Sequence, residues 1–339
     1  MTAIRDASQG SQPAPSADPT SGFATTTTLG RSDVHVSRLG AGAMTWGDAS
    51  GVARLHPAKL AYGGPAGIEQ EQAALEASLA AGVTLFDTAA MYSFGAAERR
   101  LGELATGHRV QIATKFAAGM RSRADDMPAA LEASLVRLGR SSVDLYMHHY
   151  PARVSIPRLM DLMADAVAAG RVRAVGVSNY SAEQLRVAHA ALARHGIPLA
   201  SIENGYSLLD RRIEANGVLD ACRELGVTVI AYQPLASGAL TGRYADGTRP
   251  SGLRPFMRTF RGSGRKAVTP VITLLREISD RHDRTPAQVA LRWLIEQGDV
   301  IPIPGAKNGE QAAANAQALT FHLASDEVDA LSRATVAWR

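Results

Sequence analysis

Four short apolar runs in this 339-residue chain each close on side chains that can carry charge, move a proton or hold an amide. The run 83–86 ends in the carboxylate of Asp87, 110–114 in the amine of Lys115, 143–147 in the imidazoles of His148 and His149, and 175–177 in Ser178 and Asn179. If these runs are strands of one barrel, all four groups face one mouth, because reactive residues of a (β/α)8 barrel gather at the C-terminal strand ends. An aspartate and a lysine on adjacent strands would pair there, since neither charge is tolerated alone in a partly dry site. Each residue alone also has a plainer reading: Asp87 as a turn former, Lys115 as a surface amine, His149 as a packed core residue. Four at successive strand ends favour chemistry. A metal-dependent hydrolase would need several histidine and carboxylate ligands at those ends, and one histidine pair is available.

The elements that must position these groups follow from the hydrophobic rhythm. Short β-branched runs at 39–44, 83–87, 110–115, 143–148, 174–178, 201–204, 227–232 and 300–303 read as eight strands. Amphipathic helix patterns lie between them, as at 68–81, 127–138, 156–169, 182–194 and 286–296. Gly82, Gly170, Gly196 and Gly226 stand where these patterns stop, as suits the left-handed residue that ends a helix. Near-continuous apolar strands alternating with helices imply a parallel sheet covered by helices, and eight such units imply a closed (β/α)8 TIM barrel, a single α/β domain over 26–339. An open doubly wound sheet would announce itself by a glycine-rich first turn with an acidic residue about twenty positions on. Gly40-Ala41-Gly42 has its next glycine, Gly47, too late for that pattern.

Composition narrows the classes further. A hydrophobic fraction of 46% supports a full core. Residues 1–25, rich in Ser, Thr, Ala, Pro and Gly, have little to bury and read as a disordered tail. They lack the features of a secretory signal, and no apolar run is long enough to span a membrane, so a cytoplasmic location is expected. The lone cysteine, Cys222, excludes an internal disulfide and a multi-cysteine metal site. A net charge of +4, from 36 basic and 32 acidic residues without a basic block, gives no support for nucleic-acid binding. Oligomeric state leaves no trace.

The order of the motifs then resembles a known family. Phe86-Asp87-Thr88-Ala89-Ala90-Met91-Tyr92, with Gly95, Glu98 and Leu101-Gly102 following, is similar to the signature of the aldo-keto reductases. So are Ala113-Thr114-Lys115, Asp144-Leu145-Tyr146-Met147-His148-His149-Tyr150-Pro151, the stretch 170–179, 204–209, 231–235 and 303–307. The resemblance covers about 29–315 and implies a catalytic tetrad of Asp87, Tyr92, Lys115 and His149. The family's histidine directly precedes an aromatic residue and proline, which selects His149 and turns His148 to the other face.

What the resemblance implies is reduction of an aldehyde or ketone by hydride from NADPH, with Tyr92 as the general acid. Lys115 is expected to favour the phenolate, Asp87 to hold the lysine, and His149 to orient the carbonyl. The same carry-over assigns Ser178, Asn179 and Glu203 to the nicotinamide carboxamide and Tyr232 to the face of its ring. Gln233, Leu235 and Ser237 are assigned to the pyrophosphate, and Gly305, Lys307, Gln311 and Asn315 to the adenosine end. Lys307 would neutralise a 2′-phosphate, which favours NADPH over NADH. Glu203 departs from the family, where a glutamine is common: an ionised carboxylate cannot donate to the carboxamide oxygen. Trp46 and Tyr150 are candidates to shape the substrate pocket, with ordinary packing as the alternative, and the long segment 242–267 is expected to be a lid loop. The partner implied is a small carbonyl compound. A rival reading keeps the barrel and the cofactor but works by contacting another protein, as the ion-channel β subunits of this family do.

Overall fold

The apolar runs pair in parallel, one after another, in the computed structural model, which describes residues 24–48, 57–62, 66–117, 123–151, 154–244 and 248–339. Most of the expected tail, residues 1–23, lies outside the described residues. The sheet runs in chain order through β3 (Gly40–Gly42), β4 (Leu85–Asp87), β5 (Gln111–Phe116), β6 (Val143–His148), β7 (Val172–Ser178), β8 (Leu199–Gly205), β9 (Thr228–Tyr232) and β10 (Val300–Pro302). A parallel bridge between Gly42 and Gly305, with the Gly42 amide donating to the Pro304 carbonyl at 3.0 Å, joins the last strand's exit to the first strand. The eight strands and alternating helices are the (β/α)8 barrel expected.

Alternation along each strand sorts residues into two cores. Leu85, Ala113, Leu145, Met147, Ala174, Ile230 and Ile301 point inward and form one apolar cluster. Gly176 belongs to the same wall because a Cβ there would lie 2.5 Å from Ser201 Oγ and 2.8 Å from Met147 Cγ. The larger cluster lies outside the sheet, where Phe86, Ile112, Tyr146 and Val175 meet the helices.

Helix termini follow the sequence punctuation. Gly82, Gly170, Gly196 and Gly226 all have positive φ, as the left-handed helix terminator requires. Ser181 with Gln184 and Thr285 with Gln288 form capping boxes on the helices Ala182–Ala193 and Pro286–Ile295.

Two expectations need correction. A hairpin of β1 (Thr26–Thr28) and β2 (His35–Ser37) precedes the barrel, and its Leu29, Val34 and Val36 join the interior cluster. The segment 242–267 is not a loop throughout: after two short 3-10 turns, a helix runs from Gly262 to His282 with Val268, Val271, Ile272 and Leu275 buried. No helix among the described residues is long and apolar enough to cross a membrane.

Candidate active site

Strand ends β4 and β5 bring Asp87 and Lys115 together above the barrel interior. Lys115 is fully buried, and its ammonium donates to Asp87 Oδ1 at 2.6 Å and Oδ2 at 2.7 Å, to the Thr88 carbonyl at 3.0 Å and to the Tyr92 hydroxyl at 3.3 Å. Tyr92 opens the 3-10 turn Tyr92–Gly95, whose Ser93 and Phe94 adopt left-handed φ of 50° and 55°. Such strain in non-glycine residues persists where the surroundings over-determine it, and it is concentrated at functional sites. His149 follows β6, anchored by its amide donating to the Phe116 carbonyl at 2.8 Å. Its ring stands edge-on to Tyr92 at 5.7 Å and lies flat against Tyr150 at 4.4 Å. All four expected tetrad residues therefore meet at one mouth.

His148 turns to the other face, as alternation requires: its Nδ1 sits 2.7 Å from the Tyr180 hydroxyl and its ring stacks on Phe116. Burial lowers its pKa to about 4. Burial, the charge of Lys115 and His148 push His149 down to about 2, so its imidazole is neutral at physiological pH.

Tyr92 corrects the expected sign. Burial raises its pKa well above the ordinary phenol value; Lys115 pulls it down, but Asp87 and Glu203 push it back up. One ammonium does not outweigh desolvation and two carboxyls. Lys115 itself is raised well above its usual value despite burial, because Asp87 and Glu203 both favour its charge.

Glu203 accounts for this second carboxyl. It lies on β8, 2% exposed, with Oε2 3.2 Å from Lys115 Nζ. The contact is close but makes no aligned hydrogen bond. The sequence reading that gave Glu203 to the cofactor carboxamide missed this contact, because β8 is not a neighbour of β5 in the sheet and the two side chains meet only across the barrel.

The neighbouring polar residues form one network. Ser178 Oγ donates to the Glu203 carbonyl at 2.9 Å, and Asn179, with φ 60°, donates from Nδ2 to the His149 carbonyl at 3.1 Å and to Ser178 Oγ at 2.9 Å. Tyr232 donates its hydroxyl to Asn179 Oδ1 at 2.9 Å. Beyond β9 the chain takes left-handed φ at Gln233, Ala236 and Ser237, and the Gly238 amide donates to the Leu235 carbonyl at 2.9 Å. At the far side, Gln311 Oε1 accepts from the Lys307 amide at 3.0 Å and Asn315 Nδ2 donates to the Gly305 carbonyl at 3.5 Å. Gln311 and Asn315 thus share the face of the helix Gly309–Ala316 that looks back on this turn.

Tyr62, which sequence reasoning did not single out, ties these two sides together. Its hydroxyl lies 3.0 Å from Ser237 Oγ and accepts from Gln233 Nε2 at 3.3 Å, while its carbonyl accepts from Lys307 Nζ at 2.5 Å. Burial lowers the Lys307 pKa, and the nearby charge of Arg254 lowers it further. Trp46 is 1% exposed, donates its indole N–H to the Ala306 carbonyl at 2.9 Å and packs on Phe86, an arrangement that matches the packing alternative. Tyr150 is 47% exposed beside His149, at the rim.

Lysine, carboxylate, phenol and neutral imidazole thus gather at the strand ends of one mouth of a (β/α)8 barrel. The chain belongs to the aldo/keto reductase family, whose model matches residues 38–335. It is 35% identical over 309 residues to the aldo-keto reductase str7 of Strobilurus tenacellus, covering 88% of both chains. It is 32% identical over 290 residues to the aldo-keto reductase yakc [NADP(+)] of Schizosaccharomyces pombe, covering 80% of this chain and 84% of that one. Among solved structures, a glycerol dehydrogenase from Gluconobacter oxydans superposes with a TM-score of 0.77 at 26% identity, over 92% of this chain and 96% of that one. Membership makes the chain an oxidoreductase that acts on small carbonyl compounds or their alcohols with a nicotinamide cofactor.

Proposed function

We propose that the protein reduces aldehydes or ketones to alcohols with NADPH, using Tyr92 as the general acid. The observation that carries this reading is the contact of Tyr92 Oη with Lys115 Nζ at 3.3 Å, with Asp87 fixing the lysine from the other side. NADPH, when bound, supplies the hydride. Tyr92 keeps its proton across the physiological range, because its pKa is raised, and releases it to an oxygen that becomes more basic than a phenolate. Lys115 then stabilises the phenolate left behind. The neutral ring of His149 can donate an N–H to the same oxygen and orient it without adding a competing positive charge. Tyr150, stacked on that ring, limits the directions from which a carbonyl compound can approach.

The residues fit the cofactor. Buried polar atoms of His149 and Glu203, namely Nδ1 and Oε2, lack hydrogen-bond partners, and the left-handed turns at 233–238 expose backbone to an extended ligand. Ser178, Asn179 and Glu203 would hold the carboxamide, Tyr232 the ring, Gln233, Leu235 and Ser237 the pyrophosphate, and Gly305, Gln311 and Asn315 the adenosine. Lys307 and Arg254 stand close enough to repel, so a phosphate in reach of both would answer two cations at once. This favours NADPH, and the name of the fission-yeast relative agrees.

Tyr92→Phe tests the central role. Reduction of a reactive aldehyde by bound NADPH should slow by about 10²–10⁴-fold, while NADPH affinity, read by its fluorescence, stays near wild type. Retained turnover would overturn the assignment. In Lys307→Ala, NADPH should weaken while NADH changes little; equal losses would refute the phosphate role.

A further inference from the structure

The ammonium of Lys115 has three hydrogens, and the Asp87 carboxylate, the Thr88 carbonyl and the Tyr92 hydroxyl use them. Glu203 Oε2, 3.2 Å away and buried, is therefore close to the positive charge without receiving a hydrogen. An ionised Glu203 would leave this pocket with two carboxylates against one ammonium and a buried oxygen unsatisfied. A proton on Glu203 removes both costs, since the acid can donate to the neighbouring carboxylate of Asp87.

We propose that Glu203 is a neutral carboxylic acid that shares its proton with Asp87, and that it is a positioning residue which leaves Lys115 answered by one negative charge. The pKa directions agree: burial, with Asp87 next, raises Glu203 well above its usual value, and Asp87 is raised by burial against the pull of Lys115. The other groups facing Glu203 are Tyr92 and Tyr232, both of which its charge would make harder to ionise. His149 lies edge-on to Tyr92, and the charges that bear on it are those of Lys115 and His148. A neutral Glu203 lets the phenolate of Tyr92 form beside a balanced ion pair. An ionised one would set an extra negative charge against it.

The role in proton transfer rests on the reading of Tyr92 as the acid, so the first test needs no cofactor. Infrared difference spectra of the full chain at neutral pH, wild type minus Glu203→Gln, should show the carbonyl stretch of a protonated carboxyl in the wild type alone. A difference confined to ionised-carboxylate bands would overturn the proposal. In Asp87→Asn, Glu203 becomes the sole carboxyl facing Lys115, and the protonated band should give way to a carboxylate band; its persistence would refute proton sharing. On raising the pH of the wild type, the band should survive well past the ordinary glutamate value of 4.5, and loss near that value would also refute it. If Tyr92 is the acid, the alkaline fall in single-turnover reduction should move to higher pH in Glu203→Gln. Superimposable profiles beside a positive infrared result would leave the protonation standing and sink the coupling to Tyr92.

Discussion

Thr114 and Lys115 are neighbours on β5, yet they lead to buried charge clusters on opposite sides of the barrel wall. Outward, Glu98 is fully buried; its Oε1 accepts from Thr114 Oγ1 at 2.6 Å and its Oε2 from Arg137 Nε at 2.6 Å. One carboxylate meets one guanidinium, and each oxygen has a donor. Inward, Lys115 meets Asp87 and Glu203 with a surplus carboxyl and a surplus oxygen. Both clusters are buried and both cross between elements, so burial of charge does not mark function. The surplus does: a closed pair has nothing left to offer a reactant, whereas a pocket with a spare carboxyl and an unpartnered oxygen responds when a proton moves.

Breaking the two sides should therefore give different symptoms. Lys115→Met removes the inner cation, and reduction should fall by about 10²–10⁴-fold; near-normal turnover in this variant would contradict the view that the phenolate needs the ammonium. Glu98→Ala strands Arg137 and Thr114 on the outer side. It should cost about 3–5 kcal/mol of stability, read from denaturant unfolding, with kcat per folded molecule unchanged. A loss of kcat at full folding would dissolve the distinction between the clusters.

A smaller effect sharpens the inner side. Because the folded-state pKa of Glu203 is raised, the folded protein keeps a proton that the unfolded chain releases above 4.5. Stability from this group is full below that value and is lost as pH rises toward the folded value, at about 1.4 kcal/mol per pH unit. Glu203→Gln removes the titration, so the variant should gain on the wild type as pH climbs above 4.5. A stability difference that stays flat between about pH 5 and about pH 8 would mean that Glu203 folds in its ionised form.

The sequence displayed one side of this comparison better than the other. Asp87, Lys115 and His149 were legible because each ends a β-branched run whose period fixes which face it takes, and the barrel brings such ends together. The family spacing, with His149 directly before Tyr150-Pro151, selected it over His148, and alternation along the strand turned His148 away. The sign of the Tyr92 shift was not legible, since it depends first on how deeply the fold buries the hydroxyl, with Asp87 and Glu203 adding to that rise against the pull of Lys115. Tyr62 was equally hidden, because its contact with Lys307 joins residues 245 apart in the chain. The first hairpin escaped because its strands are short and its Thr-rich start carries the composition of a tail, while Leu29, Val34 and Val36 are buried by the barrel floor they close.

The smallest expected effect lies where the inner cluster meets the network beyond it. Asn179 uses its whole amide: Nδ2 donates to His149 and Ser178, and Oδ1 accepts from Tyr232. Removing that last donor in Tyr232→Phe keeps the ring, so any stacking surface survives, and leaves Oδ1 short of one hydrogen bond worth about 1 kcal/mol. That is roughly fivefold in an equilibrium constant. If Asn179 is held in its left-handed conformation for the cofactor's sake, the loss should appear in NADPH affinity, with single-turnover reduction at saturating NADPH unchanged. If the hydroxyl instead helps the inner cluster, single-turnover reduction should fall at unchanged affinity, and the boundary between the charge cluster and the cofactor network would have to be redrawn to include Tyr232.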